Sequence, residues 1–151
     1  MYGRTVKLYR YPEKGEQAVE EQQLYFAEGH GIEGDWHSDG SERQISLLSI
    51  EDRQWMEQQE RKGFCFTKFK ENILTEGLKL SETAPGDILE IGEVLLEITG
   101  TMKSCHPELC GRAREGISCR LTDSSRFAKV IRGGSAAAGA QIQFRGKDVL
   151  F

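Results

Sequence analysis

Short runs of β-forming residues recur along the whole chain between glycine-rich turns, and this spacing constrains the fold more than any other feature. The runs are TVKLYRY, QQLYFAE, RQISLLS, FCFTKF, DILEIGEVLLEITG, RFAKVIRGG and IQFRGKDVLF, each rich in branched and aromatic residues. Regular spacing of this kind favours a barrel or sandwich over a parallel α/β sheet, whose strands alternate with helices. One clear helix is expected over SIEDRQWMEQQERKG, where Ser49 followed three residues later by Asp52 resembles a capping box and Gly63 offers a stop. YPEKGEQAVEE reads as a charged loop. The chain has 151 residues, 38% of them hydrophobic, with no internal repeat and no linker, so a single domain over 1–151 is expected. Its class is mainly β, a β-rich α+β arrangement with a few short helices.

The first residues lack the apolar core of a secretory signal, and no apolar stretch approaches the ~20 residues that cross a bilayer. A cytoplasmic protein is therefore expected, with no membrane partner. In a reducing compartment, clustered cysteines indicate a metal site or reactive sulfur before a disulfide. The cluster here is MKSCHPELCGRAREGISC, holding Cys105, His106, Cys110 and Cys119. It lies in the basic third of an acidic protein: residues 1–100 carry 11 Lys and Arg against 20 Asp and Glu, whereas 101–151 carry 9 against 4. A net charge of −4 argues against a general nucleic-acid binder. The local positive field suits a small anionic ligand and lowers a thiol pKa.

The spacing of Cys105, Cys110 and Cys119 lacks the compact ligand pairs of most structural zinc sites, although a site using all three, or two with His106, stays open. A nucleophilic or metal-ligating thiolate needs only an accessible cysteine with positive neighbours, which Lys103, Arg112, Arg114 and Arg120 offer around Cys105. Cys65, among the alternating aromatics of FCFTKF, reads as a buried strand residue. Two other stretches are too specific for scaffolding alone. In GHGIEGDWHSDGSERQISLL, glycines allow tight turns while Asp35, His37, Asp39 and Arg43 supply polar groups beside a strand. His37 either bonds nearby backbone or faces a ligand, and Arg43 either pairs with a buried carboxylate or grips an anion. In FKENILTEGLKL, Asn72 offers a donor and an acceptor, serving a ligand or a turn.

These stretches, with PGDILEIGEVLLEITG, KSCHPELC and FAKVIRGGSAAAGAQI, resemble the MOSC domain in order and spacing over about residues 29 to 142. That module takes its name from the C-terminal domain of molybdenum cofactor sulfurases. The resemblance implies a compact, barrel-like MOSC fold and a pocket for the pterin of a molybdenum cofactor (molybdopterin with molybdenum or tungsten). It makes Cys105 the key cysteine, carrying sulfur as a persulfide or ligating the metal. Asp35, His37, Arg43, Asn72 and Lys103 fall on the family's polar positions, and His106 and Arg112 join them as pocket groups. Lys70 departs from the pattern, standing where many members have glycine, as does Ala140 where an acidic residue often follows the glycine.

The implied function is a stand-alone module that binds the cofactor or carries sulfur to metal-sulfur sites. It would work with a sulfur donor such as a cysteine desulfurase and a molybdoenzyme acceptor. Pyridoxal phosphate is not expected, since no aminotransferase-like domain is present. Two alternatives stand beside it: a molybdenum-cofactor oxidoreductase acting on N-hydroxylated small molecules, and a zinc or redox-sensing thiol module in which Cys110 and Cys119 pair as resolving thiols.

Overall fold

The computed structural model describes residues 1–15, 17–60, 62–63, 65–66, 69–101, 110–116 and 119–147. Among them the strands are β1 (Tyr2–Arg10), β2 (Val19–Glu21), β3 (Gln23–Ala27), β4 (Gly31–Ile32), β5 (Ile45–Ser49), β6 (Ile73–Glu76), β7 (Ile88–Ile91), β8 (Val94–Gly100), β9 (Arg126–Arg132), β10 (Gly134–Ala137) and β11 (Gln141–Gly146). Helices are α1 (Ile50–Gln58), α2 (Gly111–Arg114) and α3 (Arg120–Ser124).

The main sheet runs β11-β7-β8-β9-β5-β6-β1-β2, and a further pairing of β11 with β1 closes it into a seven-stranded barrel with β2 outside the ring. Neighbours are antiparallel except β5 and β6, which run parallel because α1 returns the chain between them. A small sheet, β10-β3-β4, packs beside the barrel. The expected barrel is thus present, and part of the expected charged loop becomes the edge strand β2, paired with β1.

The period of two along the strands sorts side chains between two cores. Ile45 and Leu47 of β5 join Leu8, Ile73, Leu89, Leu96, Ala128 and Val130 in the barrel interior. Leu48, on the opposite face of β5, packs outside the barrel with Met56 of α1, Phe66 and Leu121 of α3. A strand covered on both faces explains why ISLL carries almost no polar alternation. Ser46 shares that outward face, and it is buried too.

Ser49 caps α1 as expected, its Oγ accepting the Asp52 N–H at 3.1 Å. The helix ends at Gln58, well before Gly63. Its last carbonyls are taken by side chains instead: Gln59 Nε2 donates to Trp55 O at 3.0 Å and Lys62 Nζ to Met56 O at 3.0 Å. The strand expected over FCFTKF is also absent among its described residues, where Cys65 and Phe66 form a turn. Arg53 of α1 donates to Phe66 O at 2.7 Å and Phe69 O at 3.1 Å, supplying the partners that a strand neighbour would otherwise give. Cys65 is consequently half-buried against the outer core rather than sealed inside a sheet.

Candidate binding cavity on the barrel wall

Ser46 and Phe127 face each other across the β5–β9 ladder. Both point out of the barrel, since their neighbours Ile45, Leu47 and Ala128 fill its interior. They form the floor of a cavity of about 340 Å³, walled by Gly15, Trp36, His37, Arg43, Phe69, Lys70 and Asn72. This volume sits at the lower end of the range for small-molecule sites, about 300–1,000 Å³.

The loop between β4 and β5 forms one wall. Gly31 has φ +129°, and a Cβ there would meet Ser38 Oγ at 2.3 Å, the oxygen that accepts the Ile32 N–H. Only glycine keeps the loop this tight. Asp35 then closes an Asx turn, Oδ1 accepting the His37 N–H at 2.8 Å and facing His37 Nδ1 at 3.1 Å. Its Oδ2 accepts the Tyr11 N–H at 3.0 Å and Asn72 Nδ2 at 2.7 Å. One buried carboxylate thereby joins the end of β1, the loop and the start of β6. Burial alone would raise this carboxyl's pKa; the His37 side chain and the Tyr11 and His37 N–H groups outweigh it and hold the pKa below 3.8.

The Asp35 contact fixes the neutral His37 tautomer with hydrogen on Nδ1, which leaves Nε2 as the acceptor. The ring stacks on Trp36 with centroids 3.9 Å apart and meets Tyr11 edge-on at 5.9 Å. Asn72 is almost wholly buried: its Nδ2 donates to Asp35 and to Tyr9 O at 3.2 Å, and its Oδ1 accepts the Ser46 N–H at 3.0 Å. Both amide hydrogens are therefore committed to bracing the wall. Arg43 is exposed beside the floor, its guanidinium 4.6 Å from the Phe127 ring centroid, and it pairs with no described carboxylate. Lys70 adds a second cation, with Nζ 5.9 Å from the Tyr11 ring.

Of the residues expected from sequence to act together, His37, Arg43 and Asn72 line this cavity, and Asp35 bonds His37 and Asn72 without lining it. Arg112 does not line this cavity; it is buried with its guanidinium over Trp55 at 5.3 Å and Phe66 at 5.6 Å, fastening α2 to α1. Lys103, Cys105 and His106 lie outside the described residues. Among the described residues no cluster of three or more His, Cys, Asp or Glu is placed to hold a metal ion, and no helix is long and apolar enough to cross a membrane. Trp36, Ser46, Phe69 and Phe127 were not singled out from sequence. Ser46, a polar residue among Ile45, Leu47 and Leu48, and Trp36, an aromatic in a glycine loop, carried a signal.

The closed barrel thus carries on its outer face a cavity lined by Trp36, Phe69 and Phe127 together with Arg43 and Lys70. A profile of the MOSC domain matches residues 34–143, and the chain belongs to that family. Its fold is similar to the YuaD protein from Bacillus subtilis at 20% identity and TM-score 0.69, covering 94% of each chain. It is also similar to YiiM from Escherichia coli, at 25% identity and TM-score 0.59 over 93% of this chain and 69% of that one. YiiM from Geobacillus stearothermophilus shares 18% identity with TM-score 0.59, over 94% and 74%. No curated protein gives a significant match.

Proposed function

We propose that this MOSC domain binds the pterin of a molybdenum or tungsten cofactor in the β5–β9 cavity, with Cys105 as the sulfur-carrying or metal-ligating thiol. The observation that carries this reading is the pairing of aromatic faces with cations around one cavity: Trp36, Phe69 and Phe127 with Arg43 and Lys70. A pterin is a flat heteroaromatic ring with polar edges, and its side chain ends in a phosphate. Stacking suits the ring and a guanidinium suits the phosphate, so the donor set fits the organic part of the cofactor. His37 Nε2 would accept from an N–H edge, while Asp35 and Asn72 hold the wall in shape. When bound, the cofactor supplies a metal centre for sulfur or oxygen chemistry.

Strand β8 ends close to this floor, a few residues before Cys105 in the sequence. Gly100, at the end of β8, pairs with Phe127, and Thr99 Oγ1 donates to Glu42 O next to Arg43. A positive surrounding would keep the thiol ionised, the form that attacks persulfide sulfur or binds metal. The partners that follow are a sulfur donor such as a cysteine desulfurase and a molybdoenzyme acceptor. Titration with molybdopterin, followed by pterin fluorescence, tests the cavity. Arg43→Ala should weaken binding by about 1–3 kcal/mol, the usual cost of a lost charge-assisted hydrogen bond. Equal affinity in the variant and wild type would remove Arg43 from the ligand.

A further inference from the structure

A larger groove of about 550 Å³ lies on the other side of Phe69 and Lys70, which line both spaces. Its wall is built from Tyr11, Met56, Phe66 and Phe69, with Ala18 at the exposed rim. Three aromatic rings and a thioether make a lining suited to a flat ring rather than to a flexible chain. The polar groups around it narrow the choice of ring. Arg53 spends its guanidinium on Glu71 and on the Phe66 and Phe69 carbonyls. Lys62 Nζ is held at the end of α1, donating to Met56 O and Glu57 O. Tyr11 donates its hydroxyl to Glu71 O at 2.8 Å, and burial followed by the Glu71 charge raises its pKa, so it stays a neutral wall. Lys70 has a partner of its own. The acceptor side differs. Among the described residues no donor or cation meets the carboxylate of Glu57, which is exposed near the end of α1 and lines the groove. Its charge is offset by Lys62, as that of Glu71 is by Arg53. The lining therefore favours no net charge and carries one open, strong acceptor.

We infer that this groove is a second binding site, separate from the β5–β9 cavity, and that it takes a neutral heteroaromatic ring bearing an amino group, the chemistry of an aminated nucleobase. The ring packs against Met56, Phe66 and Phe69, and its amino N–H donates to the Glu57 carboxylate. Neither His37 nor Arg43 nor Asn72 lines this groove, so the site stands or falls apart from the pterin reading.

The test uses the full chain labelled with methyl-13C methionine and two probes, 9-methyladenine and 9-methylpurine, both uncharged at neutral pH and differing only in the amino group. The Met56 methyl signal, assigned through Met56→Leu, should shift saturably with both probes, while Met1, exposed at the chain start, stays fixed. The adenine should bind about threefold to tenfold tighter than the purine, the range of one charge-assisted hydrogen bond at a partly exposed site. Glu57→Ala should remove that difference by weakening the adenine alone, since Lys62 bonds the Glu57 carbonyl and not its side chain. Ala18→Trp fills the rim and should weaken both probes about tenfold or more, with an unchanged melting temperature. Arg43→Ala should leave both bound normally. A fixed Met56 signal, full binding in Ala18→Trp, equal affinity of the two probes for wild type, a preference for the adenine that survives Glu57→Ala, or loss of binding in Arg43→Ala would each overturn the assignment.

Discussion

Asp35 accepts from Tyr11, His37 and Asn72 with a side chain fully out of solvent, so its charge and its geometry are inseparable. Asp35→Asn would turn an amide N–H toward at least one of these donors. The expected loss is about 3 kcal/mol, the scale of a broken buried charge network, measured by urea unfolding. The sign of the pH dependence follows from a folded pKa below 3.8. The contribution is complete above the unfolded value and is lost as pH falls through the folded one, so wild type should lose stability below about pH 4. Asp35→Asn should lack that component, and an identical acid profile in the two proteins would contradict the assignment. The polar identity of Asp35, His37 and Asn72 was legible in the sequence; the direction each faces was not. Asn72 offered donor and acceptor on paper, but β1, the loop between β4 and β5 and the start of β6 had to meet before both amide hydrogens became committed to Tyr9 and Asp35.

The two faces of β5 set the energetics of the elements around it. Leu48 is fully buried between β5 and α1, where Leu48→Ala would open a cavity at a cost of about 2–5 kcal/mol. Ser49→Ala removes the α1 cap and should cost about 1 kcal/mol. Thermal melting of the two variants checks both, and Leu48→Ala should be the larger effect. The capping box was readable because its signal lies in four consecutive residues. The other end of the helix was not, since Gln59 and Lys62 terminate it by reaching back to its carbonyls, which no local stop residue announces. FCFTKF misled for a related reason. Phe66 packs against Trp55 of α1 and Phe69 against Phe127 of β9, while the guanidinium of Arg53 occupies carbonyls that would otherwise invite a strand.

At the scale of the molecule, barrel closure brings together positions far apart in the chain. Strand spacing pointed to a barrel or a sandwich and the family resemblance to the barrel, but the pairing of β11 with β1 and of Ser46 with Phe127 is a matter of register that spacing does not encode. The cavity is a product of that register, which is why its aromatic floor escaped sequence reading while its glycine-loop wall did not. The central claim is that this cavity and Cys105 act as one cofactor and sulfur site. Native mass spectrometry of the chain, purified from cells that make molybdenum cofactor, addresses it most directly by comparing wild type, Cys105→Ser and Cys65→Ser. Wild type and Cys65→Ser should carry a pterin or a sulfur adduct, and Cys105→Ser should lose the adduct or retain less cofactor at an unchanged melting temperature. Equal loading of all three proteins, or bare chain in every case, would contradict the account.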